Sequence, residues 1–263
     1  MKKLLTLILT VVLGVAACFG LTACGQVDDV KAISDAGKLI VGITDYEPMD
    51  YKDENGNWIG FDAELAQMFA EELGVTCEFV EIDWDNKVVE INASEIDLIW
   101  NGMTASEELG KKIDFSVSYA KNAQVAVVLS NSAIASKEEV ESASVAVENG
   151  SAGEAVAEEV EIADVNAVTN QKQALLEVLA GNSDVAIIDI TMAQALVGKG
   201  EFAGLKMVEG VSYGEEIFAV GLRKNSNLKT QLDAFLKAKY ADGTITELAE
   251  KYAVGINTEA LSK

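Results

Sequence analysis

With 43 acidic against 20 basic side chains in 263 residues, the chain carries a formal charge of −23, which repels nucleic acid and anionic lipid head groups and excludes nucleic-acid binding. Apolar residues make up 49% of it, enough for a core in one large domain or in two lobes of roughly 100 residues each, and this excludes disorder. There is no histidine, so histidine-based catalytic triads are excluded and the commonest metal ligand and general base are missing.

The amino terminus reads Met1-Lys2-Lys3, then an uncharged run from Leu4 to Ala23, then Cys24-Gly25-Gln26 and an acidic stretch from Asp28. A positive start before an apolar run is the layout of an export signal, and a run of about 20 residues also has the length of a membrane-spanning helix. Leu21-Thr22-Ala23-Cys24 resembles the bacterial lipobox, where small residues precede a cysteine that is lipidated and becomes the mature first residue. Residues 1–23 are therefore expected to be a lipoprotein signal peptide and Cys24 the lipidation site. Val15-Ala16-Ala17-Cys18 is a weaker second match, because cleavage there would leave a short apolar region and an apolar stub. This expectation places the mature chain on the outer face of the cytoplasmic membrane, held by lipid. Residues 24–37, polar and acidic, predict a tether. Cys77, in the strand-like run Val75 to Ile82, reads as a small buried hydrophobe.

From Lys38-Leu39-Ile40-Val41-Gly42 the elements alternate. Asn55-Gly56, between Tyr51 and Trp58, predicts a tight hairpin turn. Leu65, Met68, Phe69 and Leu73 are spaced as one face of a helix beginning at Asp62, and Gly74 caps it. A strand from Val75 to Ile82, a helix from Asn86 to Ala93 and a strand from Ile96 to Trp100 follow, the alternation of a sheet covered by helices. After the apolar run ending at Leu129 a second such unit begins. It has a strand at Ser144 to Val147, a helix opened by Gly150-Ser151-Ala152-Gly153, a helix from Gln171 to Ala180 closed by Gly181, and a buried strand from Val185 to Asp189. A strand from Phe218 to Leu222 and helices at Leu228 to Tyr240 and Ile245 to Tyr252 complete the chain.

Several segments, in order and over more than 200 residues, carry a resemblance to a known family: Val41-Gly42-Ile43-Thr44-Asp45-Tyr46-Glu47-Pro48, Gly60-Phe61-Asp62-Ala63-Glu64-Leu65-Ala66, Ile96-Asp97-Leu98-Ile99-Trp100-Asn101-Gly102-Met103-Thr104, Asp114-Phe115-Ser116, Gly150-Ser151, Asp184 to Asp189, and Asp242-Gly243-Thr244. The chain resembles the polar-amino-acid solute-binding proteins of ABC importers, such as the histidine- and glutamine-binding proteins. The resemblance implies an α/β fold of two lobes, the periplasmic-binding-protein-like type II fold, with two chain crossings at a hinge near Gln124 to Leu129 and Glu216 to Leu222. Residues 38–122 and 221–263 would form lobe 1 and residues 123–220 lobe 2. It also implies a monomer without cofactor or bound metal, whose partners are a small-molecule ligand, an amino acid, and the ABC permease subunits.

The resemblance carries over residue by residue. Tyr46 matches the aromatic that packs on the ligand, with a buried structural tyrosine as the alternative. Trp84 falls on the opposing face of the slot, with a core tryptophan as the alternative, and Asp45 lies beside the family's cleft aspartate in a loop one residue shorter, with a cap on the turn as the alternative. Asn101, Gly102 and Thr104 match the ligand-contacting strand end, whereas Trp100 faces the core. Ser151 matches a hydroxyl at the start of a second-lobe helix, where free N–H groups and the helix dipole favour an anion. Asp189 matches the acid that pairs with the ligand ammonium; an acid ending a run of apolar residues is costly to bury without a cation, and no lysine or arginine stands near it in sequence. Gln124 either touches ligand or supports the hinge.

One departure stands out. Five residues beyond the threonine the family usually carries an arginine that clamps the ligand carboxylate; here that position is Leu109, and the only arginine in the chain, Arg223, falls in a basic surface segment of the family. Either Thr104, Ser151 and a lysine such as Lys111 hold the carboxylate, or the ligand is not an ordinary α-amino acid. A ligand-sensing lipoprotein and a dehydratase-like enzyme on the same fold are the competing functional readings.

Overall fold

A computed structural model describes residues 27–263; the expected signal peptide and the expected lipidation site Cys24 lie outside the described residues. The expected tether is replaced, from Asp29, by a helix. Helix α1 (Asp29–Ala36) starts at Asp28, whose carboxylate accepts the Lys31 N–H at 3.2 Å, and stops at Gly37 in the left-handed conformation at φ 69°. Its polar composition hid it: only Ile33 and the partly buried Val30 anchor it to the core, and the decisive contact is an ion pair made by Asp29.

The chain continues through β1 (Lys38–Ile43), the hairpin β2 (Tyr51–Lys52) and β3 (Trp58–Ile59), α2 (Phe61–Glu72), β4 (Thr76–Glu81), a 3₁₀ turn Trp84–Asn86 leading into α3 (Lys87–Asn92), β5 (Leu98–Ile99), α4 (Glu107–Lys112) and β6 (Asp114–Phe115). Then come β7 (Ala120–Asn122), β8 (Gln124–Leu129), α5 (Lys137–Glu141), β9 (Ser144–Glu148), α6 (Ala152–Glu159), β10 (Asp164–Val168), α7 (Gln171–Ala180), β11 (Val185–Asp189), α8 (Ile190–Leu196) and β12 (Leu205–Ser212). The chain ends with β13 (Glu216–Phe218), β14 (Gly221–Leu222), α9 (Leu228–Ala241), α10 (Thr244–Tyr252) and α11 (Thr258–Leu261).

Two five-stranded sheets organise two lobes. The first has the order β4-β1-β5-β14-β6 and the second β10-β9-β11-β8-β12. Both are mixed: β1 runs parallel to β4 and β5, and β9 parallel to β10 and β11, while β14 and β8 run antiparallel to their neighbours. Strand β11 is apolar on both faces, as the consecutive buried residues Val185 to Ile188 show, and β1 buries Leu39, Val41 and Ile43 on one face.

The lobes are joined by a two-stranded antiparallel ribbon, β7 with β13, in which Asn122 faces Glu216 and Ala120 faces Phe218. The first crossing therefore lies just ahead of the expected segment. Gln124 to Leu129 is instead an interior strand, β8, because its apolar residues are bounded by β11 on one side and β12 on the other. In each sheet the strand order reverses once, between β1 and β5 and between β9 and β11. Ligand crevices open at the carboxyl ends of strands at such switch points. Tyr46 follows β1, Asn101 and Gly102 follow β5, Glu148 ends β9 and Asp189 ends β11.

Arg223 is buried, not on the surface. Its Nε and Nη2 donate to Asp29 Oδ1 at 3.0 and 2.8 Å, Nη2 also to Asp97 Oδ1 at 3.1 Å, and Nη1 to the carbonyls of Ile91 and Ile96 at 3.2 and 2.6 Å. The guanidinium thus ties α1, the α3–β5 loop and the end of β14 together, and no donor is left for a ligand. Removing one member of a buried ionic network leaves the others without a counter-charge. Arg223→Ala is expected to lower unfolding free energy by about 3–5 kcal/mol in urea titrations. Arg223→Lys, lacking the planar fork, should recover only part of that loss; a loss below about 1 kcal/mol for the alanine variant would contradict the assigned role.

Candidate functional site

Between the lobes lies a cleft of about 630 Å³, a size usual for small-molecule sites. The first lobe lines it with Tyr46, Trp84, Lys87, Asn101, Gly102, Thr104 and Leu109, and the second with Glu148, Ser151, Gln171, Asp189 and Tyr213. Glu216, on the connecting ribbon, forms part of its floor.

Asp189 is 4% exposed and has no cationic partner among the described residues. Instead, amide groups surround it. Oδ1 accepts from Asn122 Nδ2 and from Gln124 Nε2, the latter at 2.5 Å, and Oδ2 accepts from Gln171 Nε2 at 2.5 Å. Gln171 is held in turn, because its Oε1 accepts the Asp189 N–H at 2.9 Å. Burial, and then the charge of Glu216, push the Asp189 carboxyl up to about 6 despite these donors. The Tyr46 hydroxyl is buried beside it. Gln124 therefore positions the acid and supports the crossing, since its Nε2 also reaches Glu216 Oε2 at 3.0 Å.

Glu148 ends the strand next to Asp189. It is 4% exposed, and burial followed by the charge of Asp189 pushes its carboxyl up to about 8. Glu216 is better satisfied: Oε2 accepts from Thr104 Oγ1 at 2.9 Å and Asn122 Nδ2 at 2.8 Å. Thr104 thus spends its hydroxyl on the ribbon, and its backbone bridges to Phe218.

The remaining expected residues fall as follows. Asn101 lines the cleft, but its amide staples the loop after β1: Oδ1 accepts the Thr44 N–H at 3.1 Å and Nδ2 donates to Asp50 Oδ2 at 2.7 Å. Gly102 has φ 54°, and an added Cβ would stand 2.7 Å from the Tyr46 ring, so only glycine lets the loop pass under that ring. Its N–H donates to Asp62 Oδ2 at 2.6 Å. Trp84 lines the cleft, 7% exposed, and Trp100 is in the core. Ser151 caps α6, its Oγ accepting the Glu154 N–H at 3.2 Å. Asp45 does not line the cleft; it is drawn away to Lys172 Nζ at 3.0 Å, an ion pair between the loop after β1 and α7. Lys111 also lies outside the lining, on the exposed face of α4, while Leu109 packs with the apolar cluster around Ile113.

Lys87, Glu148, Asn122, Gln171 and Glu216 are functional candidates that sequence reasoning missed. Glu148 had a readable signal, an acid ending the apolar run Val145-Ala146-Val147, the same pattern that marked Asp189. Lys87 had none, since a lysine at a helix start reads as solvated. Among the described residues no group of three or more acids or cysteines is arranged to hold a metal ion, and no helix is long and apolar enough to cross a membrane. Cys77 is a half-buried free thiol in β4, pushed up to about 12 by burial.

These buried acids fix a pH dependence. A carboxyl whose pKa is raised by folding contributes stability that is complete below its unfolded pKa and is lost as pH rises through the folded value. For Asp189 that span runs from 3.8 to about 6, for Asp62 from 3.8 to about 7 and for Glu148 from 4.5 to about 8. The melting temperature without ligand should therefore fall between pH 5 and pH 7. Glu148→Gln should raise stability at pH 7 by on the order of 2–3 kcal/mol and flatten the profile. Melting curves that rise with pH over this window would overturn the assignment of these acids.

The comparisons with known proteins agree with this geometry. The sequence profile of the bacterial extracellular solute-binding proteins, family 3, matches residues 39–255. An arginine-binding extracellular protein of Bacillus subtilis is 30% identical over 264 residues, covering 97% of this chain and 99% of its own. Among solved structures, a variant of the arginine-binding protein of T. maritima superposes with a TM-score of 0.81 at 31% identity, covering 85% of this chain and 98% of its own. A substrate-binding protein of an ABC uptake transporter from Streptococcus pneumoniae, with bound histidine, gives a TM-score of 0.79 at 28% identity, covering 87% of this chain and 97% of its own. Two lobes with a cleft at their switch points, and a match over nearly the whole described chain, establish that this protein belongs to family 3 of the bacterial extracellular solute-binding proteins.

Proposed function

We propose that the chain is an extracytoplasmic lipoprotein that captures a small zwitterion, a polar amino acid, between its lobes and delivers it to the permease of an ABC importer. It acts as a monomer, without cofactor or catalysis. The observation that carries this reading is Asp189. It is a buried carboxyl surrounded by neutral donors at the carboxyl end of an apolar strand, it lines the cleft, and among the described residues no lysine or arginine forms an ion pair with it. Several donors fix its position, yet its charge stays uncompensated, an arrangement that favours an incoming ammonium. The Tyr46 ring and the Trp84 wall supply apolar area for the rest of the solute.

The names of the similar proteins support amino acids as the class: arginine for the Bacillus subtilis and T. maritima proteins, histidine for the Streptococcus pneumoniae structure. The raised Glu148 carboxyl is also what a dehydratase-like enzyme would need as a proton donor. Burial beside Asp189 accounts for it without catalysis.

A thermal-shift screen of amino acids tests the reading. The right solute at 100 times its dissociation constant should stabilise the protein by about 2.7 kcal/mol. Asp189→Ala, folded by circular dichroism, should weaken its binding by about 2–5 kcal/mol. If no amino acid stabilises the protein, the reading fails; if Asp189→Ala binds as the parent does, the role of Asp189 fails. Anchoring is tested separately. Mass spectrometry of the exported protein should find Cys24 lipidated, and Cys24→Ser should release the chain or leave it unprocessed; an unmodified Cys24 inside the cell would rule out the anchor.

A further inference from the structure

Lys87 opens α3 where the first lobe meets the second. It is 4% exposed, an unusual degree of burial for a lysine. Its Nζ donates to the Trp84 carbonyl at 2.9 Å and, across the mouth of the cleft, to the Gly150 carbonyl at 2.8 Å, and it stands 4.7 Å from the centroid of the Trp84 ring. These partners are all neutral. Among the described residues no carboxylate oxygen lies within the 4.0 Å of an ion pair with it. Lys112, the other lysine that lines the cleft, is already paired with Glu108 at 3.2 Å.

The surroundings add to the positive potential. Gly150 immediately precedes Ser151, the N-cap of α6, so the ammonium sits at the positive end of that helix. In the first turn the N–H groups of Ala152 and Gly153 have no protein acceptor among the described residues. An added Cβ on Gly153 would stand 2.8 Å from the Ile187 carbonyl, so glycine there lets this helix end lie close against β11. The acids near enough to act on Lys87 are Glu148, Asp85 and Glu154. Glu154 is turned onto the Gly150 N–H at 2.7 Å, Asp85 is exposed, and burial pushes the Glu148 carboxyl toward its neutral form. A desolvated ammonium and an unsatisfied helix N-terminus therefore converge on one side of the cleft in which Asp189 is held by neutral amide donors.

We propose that Lys87, with the first turn of α6, receives the anionic group of the captured solute, which is its carboxylate if the solute is the amino acid proposed above. On this assignment the sequence replaces an arginine clamp on α4 by a lysine on α3, and Leu109 is left to pack against Ile113. Lys87 also links closure to occupancy, because its bond to Gly150 spans the two lobes.

The inference rests on the amino-acid reading, and titration calorimetry with two sets of probes separates them. The probes are the protein L-amino acids with L-ornithine and L-cystine, and the decarboxylated amine of each. The parent protein should bind one or more of the acids and bind the matching amine about 10- to 100-fold more weakly, the range expected for a hydrogen bond to a charged group. Lys87→Met should weaken the acid by a similar factor, leave the amine nearly unchanged, and melt no lower than the parent without ligand. Lys87→Gln serves as a second variant, and the parent's own discrimination between acid and amine stands if neither variant folds. Acid binding in the parent that does not exceed amine binding, or that survives Lys87→Met within about threefold, overturns the inference while leaving the amino-acid reading intact. Binding of amines alone, or of neither set, overturns both.

Discussion

The architecture of this protein turns on charges buried without counter-charges. A carboxylate or ammonium removed from water is costly unless an opposite charge and hydrogen bonds replace its hydration. At Arg223 the chain meets that demand: the guanidinium uses all its donors on Asp29, Asp97 and two carbonyls, and closes a network across segments far apart in sequence. Inside the cleft Asp189 receives amide donors only, Lys87 receives carbonyls only, and Glu148 is pushed toward its neutral form. The site is a place where stability has been forgone, and a solute bearing complementary charges would restore it.

The fold makes this possible. Strand ends at the two switch points bring Tyr46 and Gly102 of one lobe opposite Glu148 and Asp189 of the other, and the β7–β13 ribbon carries Asn122 and Glu216 between them. Because Asn122 donates to both Asp189 and Glu216, the floor of the cleft and the hinge share one hydrogen-bond network. Polar contacts from lobe to lobe include Lys87 to Gly150 and Asp45 to Lys172.

Much of this was legible in the sequence. Helix α7 and strand β11 have the bounds their patterns predict, because an apolar helical stripe ended by Gly181 and an unbroken apolar run ended by an acid leave little ambiguity. Asp189 stood out for the same reason. What remained hidden depended on partners remote in sequence. Helix α1 looked like a tether and Arg223 like a surface residue until each was seen to hold the other. The short strand β7 was passed over in favour of the more apolar β8, although β7 makes the crossing. Lys87 was invisible because burial of a helix-start lysine arises only when the second lobe covers it, and the pairing of Asp45 with Lys172, on the other lobe, was equally unreadable.

The most direct test is a crystal structure of the protein with the amino acid selected by the screen. The account predicts closed lobes with the solute between Tyr46 and Trp84, and its ammonium nitrogen within hydrogen-bond distance, about 2.7–3.2 Å, of an Asp189 carboxylate oxygen. A solute whose ammonium lies elsewhere, with Asp189 still held only by Asn122, Gln124 and Gln171, would contradict it.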